Sequence, residues 1–341
     1  MSFILHVDGT AWRAAQDRVL ARFPGLVPVV KGNGYGFGRD VLCAEASRLG
    51  VPLIAVGTYA EVPGALAAFG GDVLVMEPYR TAIHSGLPDL AHTRVIHTVT
   101  SYADLADLRD RQPEARVLIE GLTSMNRFGA PIAEVATLAD EAGTTGAEGV
   151  ALHLPLGSGH VEEISRFVEA APEVRRWFVS HVTHDELQRL HERFPQREFR
   201  ARIGTDLWLA DRNTYEVRAH VLAVRRVAKG ERGGYRQRPL PDGYMVVVSG
   251  GTSHGVAMES PASAATPRSR AIAVAEGLLE AAHHVRSPFT IHGVMPRFAE
   301  PPHMQCSLLV LPWDVAPPAV GETVPVRMRL TTTYVDEVVI S

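Results

Sequence analysis

Cysteine, lysine and long apolar runs are all scarce in this chain of 341 residues. The two cysteines, Cys43 and Cys306, form no closely spaced pair, which excludes a disulfide scaffold or a zinc module and predicts no metal. The longest apolar runs, such as Leu26–Val30 and Cys306–Pro312, are far too short to cross a bilayer, so no membrane partner is expected. Neither sign of charge dominates: 34 Lys and Arg against 38 Asp and Glu leave a formal −4, with no basic footprint for nucleic acid. The opening residues lack the basic start and apolar core of a secretory leader, which predicts a cytoplasmic protein. With 46% of residues hydrophobic and 21% charged, wholesale disorder is excluded too. Of the 34 basic residues only Lys31 and Lys229 are lysine, so the place of each amine bears on chemistry.

What is present is an alternation. Eight short apolar runs fall at Leu26–Val30, Leu53–Val56, Val73–Met76, Arg94–Val99, Arg116–Ile119, Val150–His153, Phe178–Val182 and Phe199–Ile203. Between them lie amphipathic stretches: Arg39–Leu49, Ala60–Phe69, Tyr102–Arg111, Ile132–Ala142, Val161–Ala171 and Glu186–Phe194. Strands joined by helical crossovers predict a parallel sheet, and eight of them predict an α/β fold of the (β/α)8 TIM-type barrel class. The crossover after Val73–Met76 is short and is expected to be degenerate.

Past residue 211 the spacing changes to short β-branched runs separated by Gly and Pro. These are His220–Val227, Tyr244–Val248, Cys306–Leu311, Thr323–Arg329 and Thr331–Ile340, which predict a mostly antiparallel β domain. The expected division is a barrel over residues 10–211 and a β domain of residues 1–9 plus 212–341, with the opening run Phe3–Val7 free to pair with the latter. One helix is expected within it at Arg270–His283, and a mobile loop at Pro261–Pro267.

The sharpest local signal is Val29-Val30-Lys31-Gly32-Asn33-Gly34-Tyr35-Gly36-Phe37-Gly38. A hydrophobic strand delivers a lysine to its C-terminal end, the edge where barrels build active sites. The glycines that follow let the backbone approach a ligand closely. A lysine held there in partly apolar surroundings can lose its proton and act as nucleophile or base; otherwise it merely reaches solvent. Later segments of the same kind are Glu120-Gly121-Leu122-Thr123-Ser124-Met125-Asn126-Arg127, Val150-Ala151-Leu152-His153, Ala201-Arg202-Ile203-Gly204-Thr205 and Leu330-Thr331-Thr332-Thr333-Tyr334.

In the order and spacing of these segments the chain resembles the alanine racemase family, barrel-type (fold type III) enzymes dependent on pyridoxal 5′-phosphate, over essentially its full length. The resemblance implies that Lys31 is the Schiff-base lysine and one of two bases, and that Tyr35 and Tyr334 bind the coenzyme phosphate. It implies that Arg127 holds the substrate carboxylate, with Glu120 standing where many members carry a carbamylated lysine. His153 is implied beside the pyridine ring and Arg202 opposite its nitrogen, with the amides of Gly204 and Thr205 on the phosphate. An arginine there keeps the ring nitrogen unprotonated, which weakens the electron sink and disfavours transamination. Thr183 matches a phosphate-loop position, and His303-Met304-Gln305-Cys306 matches a segment that the partner subunit contributes, so Met304 is implied near substrate. A homodimer with shared active sites and a small amino-acid substrate, alanine first, follows from the same resemblance.

Three departures bear on the activity. The family's second base is a tyrosine of the partner subunit, whereas the matching segment here is Gly251-Thr252-Ser253-His254-Gly255. Thr252 most nearly takes its place, and an unassisted hydroxyl is a poor base. Histidine is a residue type suited to proton exchange, so His254 is the candidate opposite base; the alternative is that it only shapes the entrance. The acidic pair Asp185 and Glu186 follows Thr183, where acidic residues suit the start of a helix better than a phosphate site. Gln305 replaces the acidic residue expected after the methionine. The reading is therefore an amino-acid racemase, with another coenzyme-dependent amino-acid reaction (decarboxylation, dehydration) or a non-catalytic coenzyme-binding homologue as alternatives.

Overall fold

Residues of alternate facing give the first half of the chain its form. In the computed structural model, which describes residues 2–84, 86, 92–143, 147–258 and 287–341, the chain resolves into two compact units. One comprises Arg13–Gly34 and Gly38–Ala210; the other comprises Met1–Trp12, Tyr35–Phe37 and Asp211–Ser341. In chain order the elements of the first half are β1 (Phe3–Val7), α1 (Gly9–Arg22), β2 (Val27–Pro28), α2 (Arg39–Arg48), β3 (Leu53–Val56), α3 (Val62–Ala68), β4 (Asp72–Pro78) and α4 (Thr81–His84). There follow β5 (Val95–Val99), α5 (Tyr102–Arg111), β6 (Arg116–Gly121), α6 (Ile132–Glu141), β7 (Ala147–Leu152), α7 (His160–Ala170), β8 (Arg176–Ser180), α8 (His184–Arg193), β9 (Glu198–Ile203) and α9 (Thr205–Trp208).

Strands β2 to β9 form an eight-stranded parallel sheet in the order β2-β9-β8-β7-β6-β5-β4-β3. The ring closes through a bridge between Val29 and Ala55, where the Val30 amide donates to the Ala55 carbonyl at 2.7 Å. This is the (β/α)8 barrel that the alternation predicts. Strand β2 is short because Pro28 brings no amide to the ladder. Inside the ring, Val27, Val29, Leu53, Ala55, Leu74, Ile96, Leu118, Ala151 and Phe178 pack as one apolar layer. Side chains alternate across a strand, so the next inward positions toward the C-terminal ends are Lys31, Gly57, Met76, Thr98, Glu120, His153 and Ser180, with Arg202 paired to Ser180 on β9. Apolar filling thus gives way to polar residues at the mouth. The crossover after β4 begins with α4, only four residues long.

The second unit is a mixed sheet. Its further strands are β10 (Tyr215–Val227), β11 (Arg232–Gly233), β12 (Arg238–Pro239), β13 (Gly243–Ser249), β14 (Arg297–Phe298), β15 (Cys306–Pro312), β16 (Thr323–Val326) and β17 (Glu337–Ile340). The path runs β14-β15-β13-β10-β1-β17, with β16 also on β10; β1 is antiparallel to β10 and parallel to β17. Two expected strands are shorter than the sequence suggests. The run from Thr323 is a strand only to Val326, and Thr331–Ile340 begins instead with a helical turn at Leu330–Thr332. The hydroxyls of Thr332 and Thr333 donate to the Arg329 carbonyl at 3.0 and 2.9 Å, a local side-chain bond that competes with extended pairing. The expected helix Arg270–His283 and loop Pro261–Pro267 lie outside the described residues. No helix among the described residues is long and apolar enough to cross a membrane.

Candidate active site

The mouth of the barrel unit gathers two arginines, a lysine, a glutamate and two histidines. Lys31 lies three residues past β2 with an accessible side chain, yet protein surrounds it on most sides. Burial, then the charges of Arg127 and Arg202, hold its amine below the ordinary lysine range, and Glu61 opposes them. Glu120, at the end of β6, is 1% exposed. Its Oε1 lies 3.8 Å from Nη2 of Arg127, and its Oε2 has no partner among the described residues. Burial pushes its carboxyl up to about 7, although Arg202 and Arg127 pull the other way. Arg202 is buried, and its Nε and Nη2 find no acceptor among the described residues. Burial, followed by Arg202 and Arg127, drives His153 down to about 3, so its imidazole is neutral across the physiological range.

Local contacts hold this set in place. Arg127 sits in the β6–α6 loop with its guanidinium carbon 4.2 Å from the Phe128 ring centre. Glu163 on α7 pins that loop by accepting from the Ser124 amide at 2.6 Å and hydroxyl at 2.7 Å. Thr123 donates to the His153 carbonyl at 2.6 Å, which ties the loop to the end of β7. Gly204 and Thr205 follow Arg202 and open α9, where the Leu207 and Trp208 amides both donate to the Gly204 carbonyl at 3.0 Å. Thr183 lies at the start of α8, but its hydroxyl belongs to a capping box: it donates to Glu186 Oε2 at 3.0 Å and accepts from the Glu186 amide. Asp185 and Glu186 do begin that helix.

Two residues of this mouth have no counterpart in the sequence reading. His181 follows β8 at φ +58° with its ring edge-on to His153, centroids 5.4 Å apart. Glu61 clamps the turn after Lys31. Its Oε1 accepts from the Gly32 amide at 2.6 Å and its Oε2 from the Gly57 amide at 2.6 Å, while Arg39 donates to the Gly32 carbonyl at 2.7 Å. The clamp leaves no room at position 57, where a Cβ would stand 3.1 Å from both Lys31 Cβ and Glu61 Oε2. Glu61 lies thirty residues beyond Lys31 beside an Ala-rich helix, so nothing local marks it. Because its charge raises the Lys31 amine, Glu61→Gln should lower the pH midpoint of Lys31 acetylation by acetic anhydride by about one unit or less. Lys229, on a separate peptide, is the internal reference. An unmoved midpoint would confine Glu61 to holding the backbone.

In the sheet unit the implied residues are differently placed. His254 is 8% exposed and does not present an open base. Its Nδ1 accepts from the Gly251 amide at 3.2 Å, and its Nε2 faces Asp336 Oδ1 at 3.3 Å. Asp336 is itself tied to the Ser2 and Phe3 amides. Both ring nitrogens are thus engaged within this chain. The Thr252 amide donates to the His303 carbonyl at 2.9 Å, and the Met304 carbonyl accepts from Ser253, leaving the Met304 side chain 73% exposed. Tyr334 is exposed, with its amide donating to the His254 carbonyl. Tyr35 is buried at φ +53° within a run of glycines, of which Gly36 packs on Leu330.

Comparison with known proteins agrees with this architecture. Residues 9–191, more than half of the chain, match the family model described as alanine racemase, N-terminal domain. The fold is similar to the crystal structure of alanine racemase from E. faecalis, with 17% identity, a TM-score of 0.72, and coverage of 100% of this chain and 98% of that one. It is similar to alanine racemase from Bartonella henselae with covalently bound pyridoxal phosphate, at 16% identity, a TM-score of 0.73 and full coverage of both chains. A histidine racemase from Leuconostoc mesenteroides subsp. sake matches at 14% identity with a TM-score of 0.67, covering 100% of this chain and 98% of that one. Comparison of the sequence with curated proteins finds no match.

Proposed function

Since the chain belongs to the alanine racemase family, we propose that it is an amino-acid racemase dependent on pyridoxal 5′-phosphate, acting as a homodimer, with alanine the first substrate to test. The observation that carries this reading is the convergence of a lysine of lowered basicity with two arginines, a buried glutamate and a neutral histidine at one barrel mouth. The residues present fit the coenzyme. Arg202 offers buried N–H groups without acceptors among the described residues, which suits an unprotonated ring nitrogen. Lys31 offers an amine for an aldehyde, while the backbone at Gly204 and Thr205 suits a phosphate. When bound, the coenzyme supplies an electron sink that acidifies the α-proton of an attached amino acid.

The chain's own groups do the rest. Lys31 Nζ, less basic than an ordinary lysine, takes and returns a proton on one face of the α-carbon. Arg127 binds the substrate carboxylate through its planar fork, and Glu120 steadies that guanidinium with an opposite charge. His153, neutral beside two arginines, contributes a flat apolar face and no competing charge. Met304 of a second copy is the candidate to bound the substrate pocket.

One observation favours a second reading. Inversion needs a proton on the opposite face, and His254 has both ring nitrogens engaged. That supports one-sided chemistry, a decarboxylation or dehydration using Lys31 alone. Incubation with D- and L-amino acids in deuterated water separates the two. The expected result is loss of the α-proton signal with appearance of the opposite enantiomer. Loss without inversion means one-sided proton removal, as in dehydration; an amine formed with its α-proton kept means decarboxylation; and every amino acid left unchanged means a coenzyme-binding homologue without turnover.

A further inference from the structure

We propose that Cys306, His303 and Glu300 form a reactive-thiol site, in which His303 takes the Cys306 proton so that the thiolate exchanges with small disulfides and Cys306 undergoes reversible modification. His303 Nε2 lies 2.7 Å from Glu300 Oε1. Glu300 is 6% exposed, and its oxygens also accept from the Tyr235 amide at 3.1 and 2.9 Å. A carboxylate can only accept, so Nε2 carries the hydrogen, and in the neutral imidazole Nδ1 keeps its lone pair. The Cys306 Sγ stands 3.8 Å from that Nδ1, within reach of a sulfur hydrogen bond. The arrangement is thiol to imidazole to buried carboxylate, the order that lets an imidazole accept a nucleophile's proton.

The surroundings are built for it. The Tyr235 ring covers His303, with centroids 4.4 Å apart. Gly234, at φ +73°, brings its peptide against Glu300, where a Cβ would fall 2.4 Å from the carboxyl carbon, so only glycine serves. Cys306 is half-buried at the start of β15, whereas Cys43 is buried with its thiol pushed up to about 11. Burial also raises the Cys306 thiol, so proton removal by His303 is the route to its thiolate near neutrality.

In the exchange, the Cys306 proton passes to His303 Nδ1 and Sγ attacks one sulfur of the disulfide. The S–S bond breaks, and the departing thiolate takes the proton from His303. One disulfide is exchanged for another, with no net oxidation. The adduct would sit beside the backbone that holds the Thr252–His254 turn, since the carbonyls of His303 and Met304 accept from the Thr252 and Ser253 amides at 2.9 and 3.0 Å.

The test treats the full chain with 4,4′-dithiodipyridine and maps the product by peptide mass. Cys306 should react and Cys43 should stay silent on the same timescale. His303→Gln should slow the reaction about tenfold or more at about pH 7, with the two rates converging in alkali where the thiol ionises unaided. Glu300→Gln should slow it as well, because the imidazolium loses its counter-charge. Superimposable rate–pH curves for the wild type and His303→Gln, or a Cys306 that does not react in the native protein, would overturn the proposal. If neither variant folds, the unaltered protein decides: a Cys306 rate that is already near its plateau at about pH 7 supports proton removal by His303, and a rate that keeps rising about tenfold per pH unit into the alkaline thiol range would refute it.

Discussion

Borohydride reduction after incubation with pyridoxal 5′-phosphate should leave the coenzyme's mass on the peptide of Lys31 and not on that of Lys229. Lys31→Ala should lose the adduct and reduce α-proton exchange by about a thousandfold or more. The expectation rests on the amine itself. Nucleophilic attack on an aldehyde needs an unprotonated nitrogen, and burial together with Arg127 and Arg202 moves Lys31 toward that state. The chain carries just one other lysine, Lys229, exposed in the turn after β10, so the same digest contains its own control. Adduct on both peptides in equal amount, or on neither, would remove the basis for the proposed activity. Because the readout is a mass, it stands whether the enzyme inverts its substrate, decarboxylates it or does neither.

The barrel was legible in the sequence because its signal is local. Each strand such as Leu53–Val56 is a short apolar run bounded by polar residues, and each crossover such as Tyr102–Arg111 repeats with helical spacing. The mouth was legible for a related reason: Lys31, Glu120, His153 and Arg202 each stand at the C-terminal end of such a run. What the sequence hid are partnerships between distant residues. Glu61 reads as an ordinary acid near the start of a helix until folding sets it on the Gly32 and Gly57 amides. His254 reads as a free imidazole, because its partner Asp336 lies 82 residues further on. The run Thr331–Ile340 reads as a strand from its β-branched residues, yet those threonines turn inward on the Arg329 carbonyl. Propensity describes a residue and its neighbours, whereas these outcomes depend on which backbone groups remain unpaired after the sheet has formed.

Glu120→Gln should stabilise the ligand-free protein in alkaline solution and leave it unchanged in acid. The folded carboxyl titrates at about 7 against an ordinary value of 4.5, because burial penalises its charge more than Arg202 and Arg127 reward it. Between those values the folded state binds more protons than the unfolded chain, so stability falls as pH rises through that window. The loss amounts to about 3 kcal/mol when complete, a few degrees in melting midpoint for a chain of this size. Below the unfolded value both states are protonated, and glutamine mimics the neutral acid closely, so no difference is expected there. Above about pH 8 the wild type bears the full cost of a buried carboxylate and the variant does not. Thermal melts of both proteins across this range check the sign: a constant difference, or a variant that loses stability in alkali, would show that the two arginines hold Glu120 ionised after all. The same substitution should weaken the grip on substrate, since Arg127 keeps its fork beside Glu120 at 3.8 Å, and this would appear as a raised KM in alkaline solution with a smaller change in kcat. Stability gained and affinity lost at the same pH would identify Glu120 as a charge kept at the cost of folding energy for the sake of orienting Arg127.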